Sequence, residues 1–138
     1  MRDRALEFLI CDCAMHWRKR YTTHTAHLKL IGLERRIILI LQDQPNISQV
    51  TLAEAIEQEP QTLTRVLDRL EEKNLIQKTP GKKDRRAKYL SLTTKGKKLY
   101  QKIMGIADTL RPTILAEISS KEISQLSKTL EKIKRNLS

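Results

Sequence analysis

Apolar residues recur near the start of the chain at Leu6, Leu9/Ile10, Cys13 and Trp17, the spacing of one face of an α-helix, with Arg18, Lys19 and Arg20 following. The pattern predicts a long amphipathic first helix over residues 4 to about 30. Gly32 interrupts it. Leu33, Ile37, Ile38, Leu39, Ile40 and Leu41 then predict a second helix, ended by the turn-forming Asp43-Gln44-Pro45-Asn46. Ser48 is placed to cap a short helix over Gln49 to Ile56, its hydroxyl accepting from an amide of the first turn. Pro60 opens the next helix, at the one position where a missing amide hydrogen costs nothing. From Gln61 to Lys73, Leu63, Val66, Leu67 and Leu70 fall at i, i+3, i+4 and i+7 and mark a buried face. Gln61, Thr62, Thr64, Arg65, Asp68, Arg69 and Glu72 are thereby turned outward. Asn74 follows as a left-handed C-terminal residue.

The period then changes from helical to strand-like. Leu75 to Thr79 and Ala87 to Leu92 flank Pro80-Gly81-Lys82-Lys83-Asp84-Arg85-Arg86, which predicts a β-hairpin with a basic tip. Thr93 caps a further helix with the stripe Leu99, Ile103, Ile106 and Leu110, and Pro112 marks a boundary or kink in it. Ser119 and Glu122 form a capping box, and Ile123, Leu126, Leu130, Ile133 and Leu137 repeat as a coiled-coil type of seam.

The expected fold is mostly α with a small β-hairpin wing: a winged helix-turn-helix lobe over residues 33–102, with helical dimerisation regions over 1–32 and 103–138. The aliphatic seams of the first and last helices exceed what such a lobe needs to cover itself. A stripe of that length predicts a homodimer in preference to end helices folded back on their own lobe.

Charge changes the picture by its location. The 138 residues carry 27 Lys and Arg against 16 Asp and Glu, a formal net charge of +11. Residues 1–60 are balanced, eight against eight, so the whole excess lies in the second part of the chain. Ten bases (Lys78, Lys82, Lys83, Arg85, Arg86, Lys88, Lys95, Lys97, Lys98, Lys102) and one acid, Asp84, fall within residues 78–102. A patch of this kind suits a polyanion, and beside a helix with a polar outer face it suits double-stranded DNA: the helix can present side chains to the major groove while the cationic hairpin reaches phosphates or the minor groove.

Other classes recede. The longest apolar run is Ile37 to Leu41, and the run Phe8 to Cys11 is bounded by Glu7 and Asp12, so neither a membrane span nor a secretory segment is expected and a cytoplasmic setting is. Cys11 and Cys13 are too close for a helical disulfide and point about 200 degrees apart on one helix, so with His16, His24 and His27 they make a poor metal site. Cys13 reads as a small buried hydrophobe and both cysteines as reduced thiols. Neither metal nor cofactor is expected. No nucleophile-and-base set, phosphate loop or paired carboxylates point to an enzyme. The rival readings are an architectural nucleic-acid protein with little base readout and a winged helix serving as a protein-interaction module.

Four stretches, Leu52-Ala53-Glu54-Ala55-Ile56, Thr64-Arg65-Val66-Leu67-Asp68-Arg69-Leu70-Glu71-Glu72-Lys73, Asp84-Arg85-Arg86 and Leu92-Thr93-Thr94-Lys95-Gly96, stand in order and at a spacing that resembles the MarR family of bacterial transcriptional regulators, closest to its SlyA branch. The resemblance implies a homodimer with interlocked terminal helices, reading a palindromic operator. It assigns Asp84 and Arg86 to a wing motif in which the carboxylate orients an arginine entering the minor groove, with Arg85 on phosphate. Gln61, Thr62, Thr64 and Arg65, with Arg69 beyond them, match the recognition helix, and Arg65 is the candidate for bidentate readout of guanine. Lys82, Lys83 and Lys88 add phosphate attraction. The family also implies a small-molecule effector, such as an aromatic acid in a cleft near Trp17 and Tyr21, and in some members an oxidant sensed by a first-helix cysteine. Ordinary core packing is the preferred reading of Trp17 and Tyr21. Two departures stand out: Glu57-Gln58 where members carry Gly and an aliphatic residue, and Asn74 where they carry Gly. A left-handed Glu there costs roughly 1 kcal/mol more than Gly.

Overall fold

The computed structural model describes residues 2–138, with side chains from Ala5 onward. Helix α1 spans Arg2–Thr25 and is followed by a 3-10 turn, Ala26–Leu28. The remaining order is α2 (Gly32–Asp43), β1 (Ile47–Ser48), α3 (Gln49–Ile56), α4 (Pro60–Glu72), β2 (Ile76–Pro80), β3 (Lys88–Leu92), α5 (Thr94–Ile114) and α6 (Ser120–Leu137). The chain divides into two compact units, Met1–Ile106 and Ala107–Ser138. Among the described residues no helix is long and apolar enough to cross a membrane.

In the first unit, the buried faces of α2, α3 and α4 close over a three-stranded antiparallel sheet of order β1-β3-β2. Ile37, Ile38, Leu41, Leu52, Leu63, Leu67, Leu70, Ile76 and Leu90 are fully buried at its centre. The predicted α4 stripe of Leu63, Val66, Leu67 and Leu70 is that core face. Ser48 caps α3, its Oγ accepting from the Thr51 N–H at 3.1 Å. Glu57 and Asn74 take the left-handed conformations expected of them, at φ 50° and 59°. Gly96 is required at the start of α5, because a Cβ there would collide with the Leu75 carbonyl oxygen. The same carbonyl accepts the Thr93 N–H at 3.1 Å, and Thr93 Oγ1 caps α5 by accepting from the Gly96 N–H at 3.0 Å.

Three features differ from the sequence pattern. Helix α1 ends at Thr25 rather than near residue 30. In its last turns the Thr23 and Thr25 hydroxyls donate to the carbonyls of Lys19 and Tyr21 at 3.0 and 2.7 Å, the side-chain competition that weakens helices. The apolar stripe of α1 is uncovered in the single chain: Leu6, Leu9 and Trp17 are exposed, and so are Cys11 and Cys13. Cys13 is therefore not buried here, and Trp17 meets Tyr21 edge to face at 6.4 Å outside the core. Strand β1, two residues long, has no counterpart in the sequence pattern.

A polar knot ties the end of α1 to α2 and α4. Glu34, only 2% exposed, accepts the Ile31 N–H at 3.1 Å on one oxygen and the Lys73 ammonium at 2.8 Å on the other. Lys73 also donates to the Lys29 carbonyl at 3.3 Å. Beside it Arg35 is buried and donates to Thr25 Oγ1 at 3.1 Å. Burial lowers the pKa of its guanidinium, an effect opposed in part by Tyr21.

The second unit holds the end of α5, with Pro112 two residues from its terminus, and α6. The Ser119–Glu122 capping box is formed reciprocally, at 2.8 and 3.1 Å. Along α6, Leu126, Leu130 and Leu137 are exposed.

Candidate nucleic-acid interface

Burying Leu63, Val66, Leu67 and Leu70 fixes the rotation of α4, so that Gln61, Thr62, Thr64, Arg65, Asp68, Arg69 and Glu72 are all exposed, as the periodicity requires. Pro60 occupies the first helical position. Thr64 is partly engaged inside the lobe: its hydroxyl donates to the Pro60 carbonyl at 2.9 Å and accepts from Gln49 Nε2 at 3.5 Å. Gln61, Thr62, Arg65 and Arg69 have no such tie among the described residues.

The hairpin pairs Ile76 with Leu92 and Pro80 with Lys88, which sets residues 81–87 at its tip. The tip closes through Gly81 N–H to the Ala87 carbonyl, 2.8 Å, and Ala87 N–H to the Asp84 carbonyl, 3.1 Å. Gly81 allows this close approach, since a Cβ would stand 2.5 Å from the Asp84 carbonyl oxygen. Oδ1 of Asp84 accepts the backbone N–H of Arg86 at 3.0 Å. Its partner is thus the peptide of Arg86, not a guanidinium. Lys82, Lys83, Arg85, Arg86 and Lys88 are exposed and, among the described residues, take part in no ion pair.

Two of the ten bases of residues 78–102 are engaged by other groups of the protein. Lys78 is 12% exposed and its ammonium lies 2.5 Å from Oδ1 of Asp68 and 3.9 Å from Oε1 of Glu71. Lys95 donates to the Lys73 carbonyl at 2.9 Å, a cation at the C-terminal end of α4, where the helix dipole favours it. A helix of 13 residues is about 20 Å long, so Lys95 sits far from Gln61 and Thr62. Among the described residues, five of the eight bases left in no such contact, Lys82, Lys83, Arg85, Arg86 and Lys88, lie on the hairpin, and the exposed Lys97, Lys98 and Lys102 lie on α5. Charge counting missed the Lys78 contacts, although strand alternation puts Lys78 on the same, core-facing side as Ile76. Among the described residues no cluster suited to a metal ion occurs.

A buried helical trio, an exposed polar helix as its last member and a cationic hairpin after it constitute a winged helix-turn-helix protein. Residues 34–88 match the MarR family. Over nearly the whole chain the structure is similar to that of the transcriptional regulator PA3341, at 30% identity, with 96% of this chain and 97% of that one covered and a TM-score of 0.82. It is also similar to wild-type MarR from E. coli in its apo form, at 21% identity, 93% and 95% coverage and a TM-score of 0.81. A mutant MarR from E. coli complexed with operator DNA gives 21% identity, 94% and 93% coverage and a TM-score of 0.81. The chain belongs to the MarR family of transcription regulators.

Proposed function

We propose that this protein is a cytoplasmic, sequence-specific DNA-binding regulator of the SlyA-like branch, acting as a homodimer on a palindromic operator. The observation that carries the reading is the unpaired basic hairpin tip on the same lobe as the exposed polar face of α4. Lys82, Lys83, Arg85 and Lys88 supply attraction to phosphate, Arg86 enters the minor groove from a tip fixed by Asp84, and Gln61, Thr62, Thr64, Arg65 and Arg69 face the major groove. Residues 33–102 form the reading lobe; 1–32 and 103–138 form the dimerisation region. The exposed Leu6, Leu9 and Met15 of α1 and Leu126 and Leu130 of α6 support the dimer, since apolar stripes of that length are seldom left to solvent. A homologue crystallised on operator DNA supports the choice of duplex as partner. A small-molecule effector would act by changing the spacing of the two recognition helices, which must match about 34–36 Å of duplex. Selection of bound sites from a random duplex pool tests the reading. Recovery of a palindrome supports specificity and dimeric binding together, and recovery of no common sequence contradicts sequence-specific binding.

A further inference from the structure

On α4, Asp68 follows Arg65 by three residues, a spacing at which the two side chains are neighbours and can form an ion pair along the helix. They do not pair. Asp68 is instead bound by Lys78 of β2, which also approaches Glu71, one turn along the same side of the helix. Lys78 comes to this position because its Cα lies opposite that of the fully buried Leu90, so its stem runs over the core while its ammonium emerges beside α4.

We infer that Lys78 is a positioning residue for Arg65: it holds Asp68 and Glu71 against the hairpin and so leaves the Arg65 guanidinium free to read a base. The inference rests on the DNA-binding reading above and adds to it a residue that touches no DNA. Without Lys78, Asp68 has Arg65 as its nearest alternative cation, and two uncompensated carboxylates flank the reading face. The hairpin and α4 also lose the ionic contact that joins their side chains, so the two DNA-facing elements are held less firmly in register.

Two measurements decide it. The first needs no DNA: thermal unfolding of Lys78→Met, Asp68→Asn and the double variant. The expected result is a double variant less destabilised than the sum of the single ones; strictly additive shifts in Tm overturn the clamp. The second compares affinity for a selected duplex and a scrambled one as salt is varied. Lys78→Met is expected to weaken specific binding about tenfold or more, the scale of losing one base-reading contact. It should leave the slope of log K against log salt unchanged, because no phosphate contact is lost. Lys78→Met combined with Asp68→Asn and Glu71→Gln is expected to return to near wild-type affinity, and Lys78→Arg to retain it. A slope reduced by about one, or a combined variant no tighter than Lys78→Met, overturns the assignment. A wild-type protein that does not distinguish the two duplexes contradicts the DNA reading instead, and the unfolding cycle then decides whether the clamp exists.

Discussion

Oδ1 of Asp84 accepts the backbone N–H of Arg86 at 3.0 Å, so the acid of the hairpin tip shapes the turn rather than neutralising an arginine. The Arg86 side chain is then both fixed at its base and free at its end. Arg86→Ala is predicted to weaken duplex binding by roughly 1–3 kcal/mol with unfolding unchanged. Asp84→Ala is predicted to act in the same direction but less, because loss of turn order is offset by removal of a negative charge. Fluorescence anisotropy on the folded proteins checks both; wild-type affinity in Arg86→Ala contradicts the wing assignment.

Glu34 is 2% exposed and Lys73 39%, so the carboxylate carries most of the burial in this pair and solvent screens the ammonium. Lys73→Met therefore leaves a buried charge without its cation and is predicted to cost about 1–3 kcal/mol in urea denaturation. Adding Glu34→Gln should recover part of the loss, since the amide oxygen can still accept from the Ile31 N–H. A combined variant that is less stable than Lys73→Met counts against the pair.

Glu57 closes α3 at φ 50°, ψ 45°, in the left-handed region. Glu57→Gly relieves about 1–2 kcal/mol of backbone strain. The freer unfolded chain returns about 0.4–1 kcal/mol of that. A net gain of roughly 0.5–1 kcal/mol is predicted, read as a higher denaturation midpoint at unchanged m-value. A lower midpoint contradicts it.

The Glu122 carboxyl is held below the ordinary range by hydrogen bonds from the Ser119 backbone N–H and from its hydroxyl, with slight opposition from desolvation. A folded-state pKa below the unfolded one gives stability that is complete above the unfolded value and lost as pH falls through the folded value. The N-terminal turn of α6 is predicted to loosen in acid, below the usual glutamate range. Glu122→Gln, which can keep the hydrogen bond but not the charge, should remove that part of the acid transition. Helicity followed by circular dichroism from neutral to strongly acid pH tests this, and identical acid profiles for the two proteins contradict it.

Helix α4, the hairpin and both caps were legible because each rests on short-range rules: a 3.6 period over Leu63 to Leu70, a basic turn between alternating runs, Ser48 and Ser119 before helices. Strand β1 was not, since two residues carry no alternation and Ile47 and Ser48 become a strand only by pairing with Leu90 and Tyr89. The early end of α1 depends on hydroxyls turning back to their own helix, at Thr23 and Thr25. The candidate site was legible as residue types and as a charge count, but the count could not separate free cations from engaged ones. Lys78 and Lys95 needed tertiary contacts, with Asp68 across from the strand and the Lys73 carbonyl at the end of α4.

The central claim is that α4 reads sequence while the hairpin supplies attraction. Its most direct test is the affinity of the full-length protein, and of Arg65→Ala, for a selected palindromic duplex and for its scrambled counterpart at one physiological salt concentration. The account predicts that the wild type prefers the palindrome by about a thousandfold or more. Arg65→Ala should lose about tenfold or more of that preference while binding the scrambled duplex nearly as before. A wild-type ratio near unity, or an Arg65→Ala variant that weakens equally on both duplexes, contradicts it.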